Sequence, residues 1–242
     1  MLDHLTIRVS DREASERFYR TVLATLAIEQ TSAGEAFAEW DDFSLAAADA
    51  ASPPTRHLHV GFVAPSRTHV DRFWQAGVDA GYASDGEPGP RPQYSEDYYG
   101  AFLLDPDGSS VEAVHHGSLR EGGNVDHLSI RVSDLEAATR FYETVGPAAG
   151  FRAGKELEGR TLFACVSGSF SVVAGTPVTE NVHLAFSAGD DATVDRFHAD
   201  ATAAGYRSNG APGERPQYHA GYYAAFVCDP DGNNIEVVNH NR

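Results

Sequence analysis

The chain has 242 residues, 42% hydrophobic and 10% aromatic, enough apolar surface for a core that needs no staple. Its 18 lysines and arginines against 35 acids leave a net charge of −17 and a pI near 4.9, so phosphate backbones and anionic membranes would be repelled. A mean hydropathy of −0.34 with no apolar run near 18 residues excludes a spanning helix, and with only Cys165 and Cys228 and no basic-then-apolar leader the expected home is a reducing cytoplasm.

The first predicted element is a strand over Leu2–Val9, where Leu5, Ile7 and Val9 alternate with His4, Thr6 and Arg8. Ser10 followed by Glu13 reads as a capping box, and Phe18, Tyr19, Val22 and Leu23 recur at helical spacing. Short strands follow near Ala36–Trp40 and Phe43–Ala47, ended by Pro53-Pro54. The order then repeats: a strand over His57–Val63, a helix from about Ser66 to Ala80 closed by Gly81, and strands near Tyr82, Tyr99–Leu104 and Val111–His115.

A Gly-rich stretch at 118–124 separates this half, 1–117, from a second copy, 125–242. Asp3-His4-Leu5-Thr6-Ile7-Arg8-Val9-Ser10-Asp11 returns as Asp126-His127-Leu128-Ser129-Ile130-Arg131-Val132-Ser133-Asp134, an offset of 123 residues. From Arg91 to His116 against Arg215 to His240, 15 of 26 positions are identical. The whole chain is therefore expected to be α+β, four βαβββ modules in two tandem domains, with antiparallel hairpins and helices covering one sheet face.

Strand parity then selects candidate residues. If Leu5, Ile7 and Val9 pack under a helix, His4, Thr6 and Arg8 point the other way. By the same alternation His59 opposes Leu58, Val60 and Phe62, and Glu112 opposes Val111 and Ala113; His183 and Glu236 hold the matching places in the second copy. Two imidazoles and one carboxylate per copy, His4, His59 and Glu112, then His127, His183 and Glu236, have the composition of a facial triad for a divalent ion. Modules can pair within a copy or across the duplication; the second option regroups the same six residues as His4, His183 and Glu236 with His127, His59 and Glu112.

The motifs Asp3 to Val9 with Phe18-Tyr19, His59-Val60-Gly61-Phe62, and Phe102 to Glu112 through Asp105-Pro106-Asp107-Gly108, each with its second-copy partner, resemble the vicinal oxygen chelate superfamily of glyoxalases, bleomycin-resistance proteins and extradiol dioxygenases. The resemblance covers nearly the full chain. It implies a cup-shaped, mostly antiparallel half-barrel from each pair of modules, each cup holding one divalent ion (Fe, Mn, Ni or Zn), with those six residues as the ligands of the two ions. A small molecule would then bind through two neighbouring oxygens. The alternative it implies is a drug- or metabolite-binding protein without catalysis.

Departures from the family bear on the reaction. Glyoxalase-like members place a further Glu where alignment here puts Ala46 and Val173. The extradiol signature of a His and then a Tyr before the Asp-Pro turn meets Ser95 or His219, and Phe102 or Phe226. His219, Tyr99 and Tyr223, with His57, are the candidate acid-base groups, and Arg8, Arg131, Arg91 and Arg215 the candidate substrate contacts. The loops bearing Arg91-Pro92-Gln93-Tyr94 and Arg215-Pro216-Gln217-Tyr218 suit a specificity role. Lys155 is the sole lysine, and no dinucleotide fingerprint, nucleophile elbow or CxxC pair is present, which disfavours nicotinamide and covalent chemistry. The expected protein is a monomer resembling a fused dimer, or a homodimer.

Overall fold

Alternating burial along Leu2–Val9 follows the predicted parity, with Leu5, Ile7 and Val9 sealed from solvent and His4 and Arg8 partly exposed. The computed structural model describes residues 2–165 and 168–241. Four βαβββ modules follow in order. The first comprises β1 (Leu2–Val9), α1 (Arg12–Leu23), β2 (Ser32–Ala33), β3 (Phe37–Trp40) and β4 (Phe43–Ala47). The second comprises β5 (His59–Val63), α2 (Arg67–Asp79), β6 (Ser84–Pro90), β7 (Tyr99–Leu104) and β8 (Ser110–His115). The third comprises β9 (Val125–Val132), α3 (Leu135–Ala149), β10 (Phe151–Leu157), β11 (Arg160–Cys165) and β12 (Ser169–Ala174). The fourth comprises β13 (His183–Ser187), α4 (Asp191–Ala203), β14 (Ser208–Glu214), β15 (Tyr223–Cys228) and β16 (Asn234–Asn239). Among the described residues no helix is long and apolar enough to cross a membrane.

Two open sheets of eight strands result, in the orders β14-β15-β16-β13-β1-β4-β3-β2 and β10-β11-β12-β9-β5-β8-β7-β6. Hairpin neighbours such as β7 and β8 are antiparallel, whereas β5 runs parallel to β8 and β13 to β16. Each sheet thus joins the fourth module to the first, or the second to the third, which selects pairing across the duplication. The chain also divides into two compact units, Thr6–Ser129 and Met1–Leu5 with Ile130–Arg242, so β1 and β9 each contribute to both.

In the unit Thr6–Ser129, α1 packs on α2 and β4, and α2 packs on β6, β7 and β8. Phe18, Tyr19, Trp40, Phe43, Phe62 and Phe73 are fully buried there, with Tyr19 and Phe43 ring centroids 4.7 Å apart. The other unit repeats the plan with α3 on α4 and a core of Phe141, Tyr142, Phe163, Phe170, Phe186 and Phe197.

Three local expectations change. Asp11, not Ser10, caps α1: its side chain accepts from Ala14 N, while Ser10 N is taken by Asp107 Oδ2 at 2.8 Å. His57 lies outside β5 because its φ of 58°, matched by Asn181 in the second copy, breaks the extended run. The strand expected near Tyr82 starts at Ser84 and runs to Pro90, an edge position where missing N–H groups and bulges are tolerated.

The Asp-Pro-Asp-Gly turns hold more than a hairpin. Asp105 accepts from Asp107 N, Ser109 N and the buried Tyr19 hydroxyl, and Asp107 reaches Ser10 N and Arg56. The turn after β7 thereby fastens the second module to the first module's strand end. The second copy repeats the device with Tyr142 on Asp229 and Ser133 on Asp231.

Burial pushes the Asp105 carboxyl up to about 6, above its hydrogen bonds' opposing pull and above the unfolded value near 3.9. The folded chain therefore keeps a proton that the unfolded chain releases, so this group's stability contribution is complete below about pH 4 and lost as the pH rises to about 6. Asp105→Asn is expected to flatten the fall of the urea midpoint across that window; an unchanged slope would contradict the assignment.

Candidate metal centres

The chemistry of each candidate centre starts with a carboxylate that strand geometry hides. Glu112 on β8 pairs in register with Gly61 of β5 and Phe102 of β7, and Glu236 on β16 pairs with Ala185 and Phe226; both are 1% exposed. An isolated charge at such depth would be costly. Here the cost is offset by two imidazoles and a phenol.

In the unit Thr6–Ser129, Glu112 Oε2 lies 3.1 Å from His59 Nε2 and 3.3 Å from His127 Nε2, and the two Nε2 atoms are 3.3 Å apart. In the other unit Glu236 Oε2 lies 2.8 Å from His183 Nε2 and 3.7 Å from His4 Nε2, with 3.2 Å between the nitrogens. All six candidate ligands therefore fall into two clusters: His59, Glu112 and His127, and His4, His183 and Glu236.

These spacings suit a common cation. Ligands about 2.1 Å from an ion stand about 3.0 Å apart at right angles and about 3.4 Å apart in a tetrahedron. The observed distances straddle both values.

The outer ring nitrogens are also engaged, at three of the four rings in a way that frees the inner one. Asp3 accepts from His4 Nδ1 at 2.8 Å and Asp126 from His127 Nδ1 at 3.0 Å. Ser110 donates its hydroxyl to Asp85 and so accepts from His59 Nδ1 at 3.2 Å, but at His183 the Asn234 amide nitrogen, whose oxygen accepts from Asn209, donates to Nδ1 at 2.5 Å. At His4, His127 and His59 a proton fixed on Nδ1 leaves a lone pair on Nε2, as a metal ligand requires, whereas at His183 the accepting lone pair is on Nδ1.

In their protonated form the imidazoles offset the buried charge. Burial alone would raise Glu112, but bonds and charge from His127 and His59 hold it well below the usual carboxylate range, and Glu236 is held down by His183 and His4 against the same burial. Burial opposes ionisation of Asp126 too, yet His116 and His127 keep it low.

Of the other sequence candidates, some sit elsewhere. Tyr99 and Tyr223 donate to Asp71 on α2 and Asp195 on α4, each at 2.8 Å, so their hydroxyls are not at the clusters. Parity explains this: Tyr99 shares its side of β7 with the buried Ala101 and Leu103, opposite Phe102. Arg8 and Arg131 bond the carbonyls of Ala47 and Pro177. Arg91 and Arg215 instead lie over Phe102 and Phe226, the rings beside His59 and His183.

His219 is brought to a cluster indirectly. Its Nε2 meets His240 Nδ1 at 2.9 Å, and His240 Nε2 reaches Asp3 Oδ2 at 2.9 Å. His219 Nδ1 faces the Ala220 carbonyl. Carbonyl and carboxylate at the two ends only accept, so this line is complete when the two rings share three N–H protons. Ser95, at the matching place, bonds Asp97 instead.

Sequence reasoning missed Tyr98 and Tyr222, whose hydroxyls donate to Glu112 Oε1 at 2.8 Å and Glu236 Oε1 at 2.6 Å. Both precede their strands, where alternation gives no direction; their signal was the doubled tyrosine in each copy. Asp3, Asp126, His116 and His240 were missed because each acts sideways on a neighbour in the cluster's backing.

A model of the Glyoxalase/Bleomycin resistance protein/Dioxygenase superfamily matches residues 1–113 and 124–237. Glyoxalase I from Zea mays has a similar fold, with a TM-score of 0.69 and 17% identity over 99% of this chain and 92% of that one. A variant of the maize enzyme gives 0.71 and 19%, with the same coverage. A putative dioxygenase from Bacillus subtilis gives 0.67 and 11%, covering 100% of this chain and 85% of that one. No curated protein matches the sequence.

Two substitutions test the clusters. Tyr98→Phe strips a buried acceptor of its donor and is expected to lower stability by about 1–3 kcal/mol and weaken metal binding at that cluster by roughly 10–100-fold. An affinity equal to wild type in equilibrium dialysis would show that the phenol does not hold the carboxylate. A Cβ at Gly61 would stand 2.4 Å from His127 Cε1, so Gly61→Ala should displace that ring and weaken one cluster alone. Ala185 at the matching place shows that the strand accepts alanine, so lost folding rather than lost metal would contradict the expectation.

Proposed function

Because the chain belongs to the Glyoxalase/Bleomycin resistance protein/Dioxygenase superfamily, we propose that it is a metal-dependent enzyme acting on a small molecule that binds through two neighbouring oxygens. The observation that carries this reading is the convergence of two Nε2 atoms and one carboxylate oxygen, twice in one chain. His4, His183 and Glu236 would hold one divalent ion, and His59, Glu112 and His127 another, each Fe, Mn, Ni or Zn. Bound there, the ion supplies Lewis acidity toward the substrate oxygens.

The protein's own groups do the rest. Asp3 and Asp126 hold the protons of His4 and His127 on Nδ1, and Tyr98 and Tyr222 fix the rotamers of the two glutamates. Phe102 and Phe226 wall off one side of His59 and His183 from water. The His219–His240 pair can give up or take back a proton at His219, an acid-base function that Ser95 cannot match. Ala46 and Val173, where glyoxalase-like relatives carry a further carboxylate, count against lyase chemistry, and Phe102 and Phe226, where the extradiol signature has a Tyr, count equally against dioxygenase chemistry.

Purified protein is expected to carry close to two equivalents of divalent metal, falling to one in His59→Ala or His183→Ala and to none in the double variant. Oxygen uptake with a catechol supports the dioxygenase-like reading, and consumption of a methylglyoxal–thiol adduct the lyase. Metal content indifferent to both substitutions, with an aromatic drug still bound, would establish the binding protein instead.

A further inference from the structure

Arg91 and Arg215 lie over the rings that stand beside the two clusters. In a protein of net charge −17 neither makes an ion pair among the described residues, whereas Arg56 and Arg120 pair with Asp107 and Asp42. Both are nevertheless held in place. Arg91 donates to the carbonyls of Pro90 and Glu87 at 3.1 and 2.7 Å, and its guanidinium lies 5.4 Å from the centroid of Phe102. Arg215 repeats the seat with Glu214, Ala211 and Phe226, at 3.1, 2.6 and 5.5 Å.

The backbone is shaped around these seats. β6 shifts register between Ser84 and Gly86 and again between Gly86 and Gly89, and β14 shifts at the matching residues. A Cβ on Gly86 would stand 2.8 Å from the Phe102 ring, and one on Gly89 2.9 Å from Arg91 Nη1; Gly210 and Gly213 leave the same room for Phe226 and Arg215. Bulges of this kind re-aim side chains beside sites.

Direction follows from register. Phe102 faces the same side as its partner Glu112, and its ring lies 6.0 Å from the His59 ring; Phe226 lies 6.2 Å from His183. Two of five guanidinium N–H groups are spent on the seat, which leaves donors for a further acceptor. A divalent ion on two neutral imidazoles and one carboxylate would keep a net positive charge, and a guanidinium nearby adds to it unless an anion lies between them.

We propose that Arg91 and Arg215 each form a carboxylate-binding subsite beside a metal cluster, so that the substrate is an acid whose carboxylate is separated by a ring or short chain from its pair of neighbouring oxygens. This rests on the metal-centred reading above. The guanidinium would take the carboxylate through paired N–H donors, a geometry that an ammonium cannot reproduce.

The test is calorimetric titration of zinc-loaded protein with 3,4-dihydroxybenzoate and with catechol, metal content being measured in every sample. Wild type should prefer the carboxylated diol by at least about tenfold. The doubly substituted Arg91→Met, Arg215→Met protein should bring that ratio close to one, and Arg91→Lys with Arg215→Lys, which keeps the charge should the methionine form fail to fold, should leave it intermediate. Equal affinity of wild type for the two diols, or a ratio unmoved by the methionine pair, overturns the subsite alone. Zinc-loaded wild type that binds neither diol overturns the vicinal-oxygen reading and the subsite with it.

Discussion

A carboxylate withdrawn from water is tolerable only where positive charge or donors meet each of its oxygens. Glu112 and Glu236 impose that condition on the sheets around them. One oxygen of each takes a phenol and the other faces two imidazoles, which are in turn backed by Asp, Ser or Asn. The elements that supply these partners, the first strand of one module, the first and last strands of another and the loop before its penultimate strand, are those whose order the sheets fix. The same arrangement serves stability through hydrogen bonding and would serve metal binding through donors that converge on one point.

Much of this was legible in the residues because alternation along a strand is strict. The six donors follow from parity in β1, β5 and β8 and their repeats, and the βαβββ order follows from the apolar spacing. What escaped has identifiable reasons. Module pairing was open because both copies carry the same donors on the same strands, so either grouping satisfies the pattern. β6 and β14 were obscured by glycine and proline, which an edge strand accepts and which here make room for Phe102, Arg91 and their counterparts. The tyrosines that touch the glutamates lie just outside regular structure, while Tyr99 and Tyr223 obey the alternation that was applied to the donors and point to the helices.

Duplication has not kept the clusters identical. Gly61 and Gly100 in one correspond to Ala185 and Ala224 in the other, and a Cβ at Gly100 would stand 2.4 Å from Glu112 Oε1. Ser110 with Asp85 backs one imidazole, Asn234 with Asn209 the other. The paired imidazoles of His219 and His240 accompany only the cluster of Glu236. Two linked imidazoles behind one centre and the single ring of His116 behind the other would give two ions unequal surroundings within one polypeptide.

Because each donor set draws one histidine from the opposite half of the sequence, continuity of the peptide between Gly117 and Asn124 has a meaning beyond tethering. A fragment ending there would contain His4, His59 and Glu112 but not His127, and its complement would contain His127, His183 and Glu236 but not His4. Neither could complete a three-donor set from its own strands in the observed pairing; only reassociation of the two pieces, or self-association of one, would restore it. Gene fusion in such a protein converts what would be a concentration-dependent encounter into an intramolecular one.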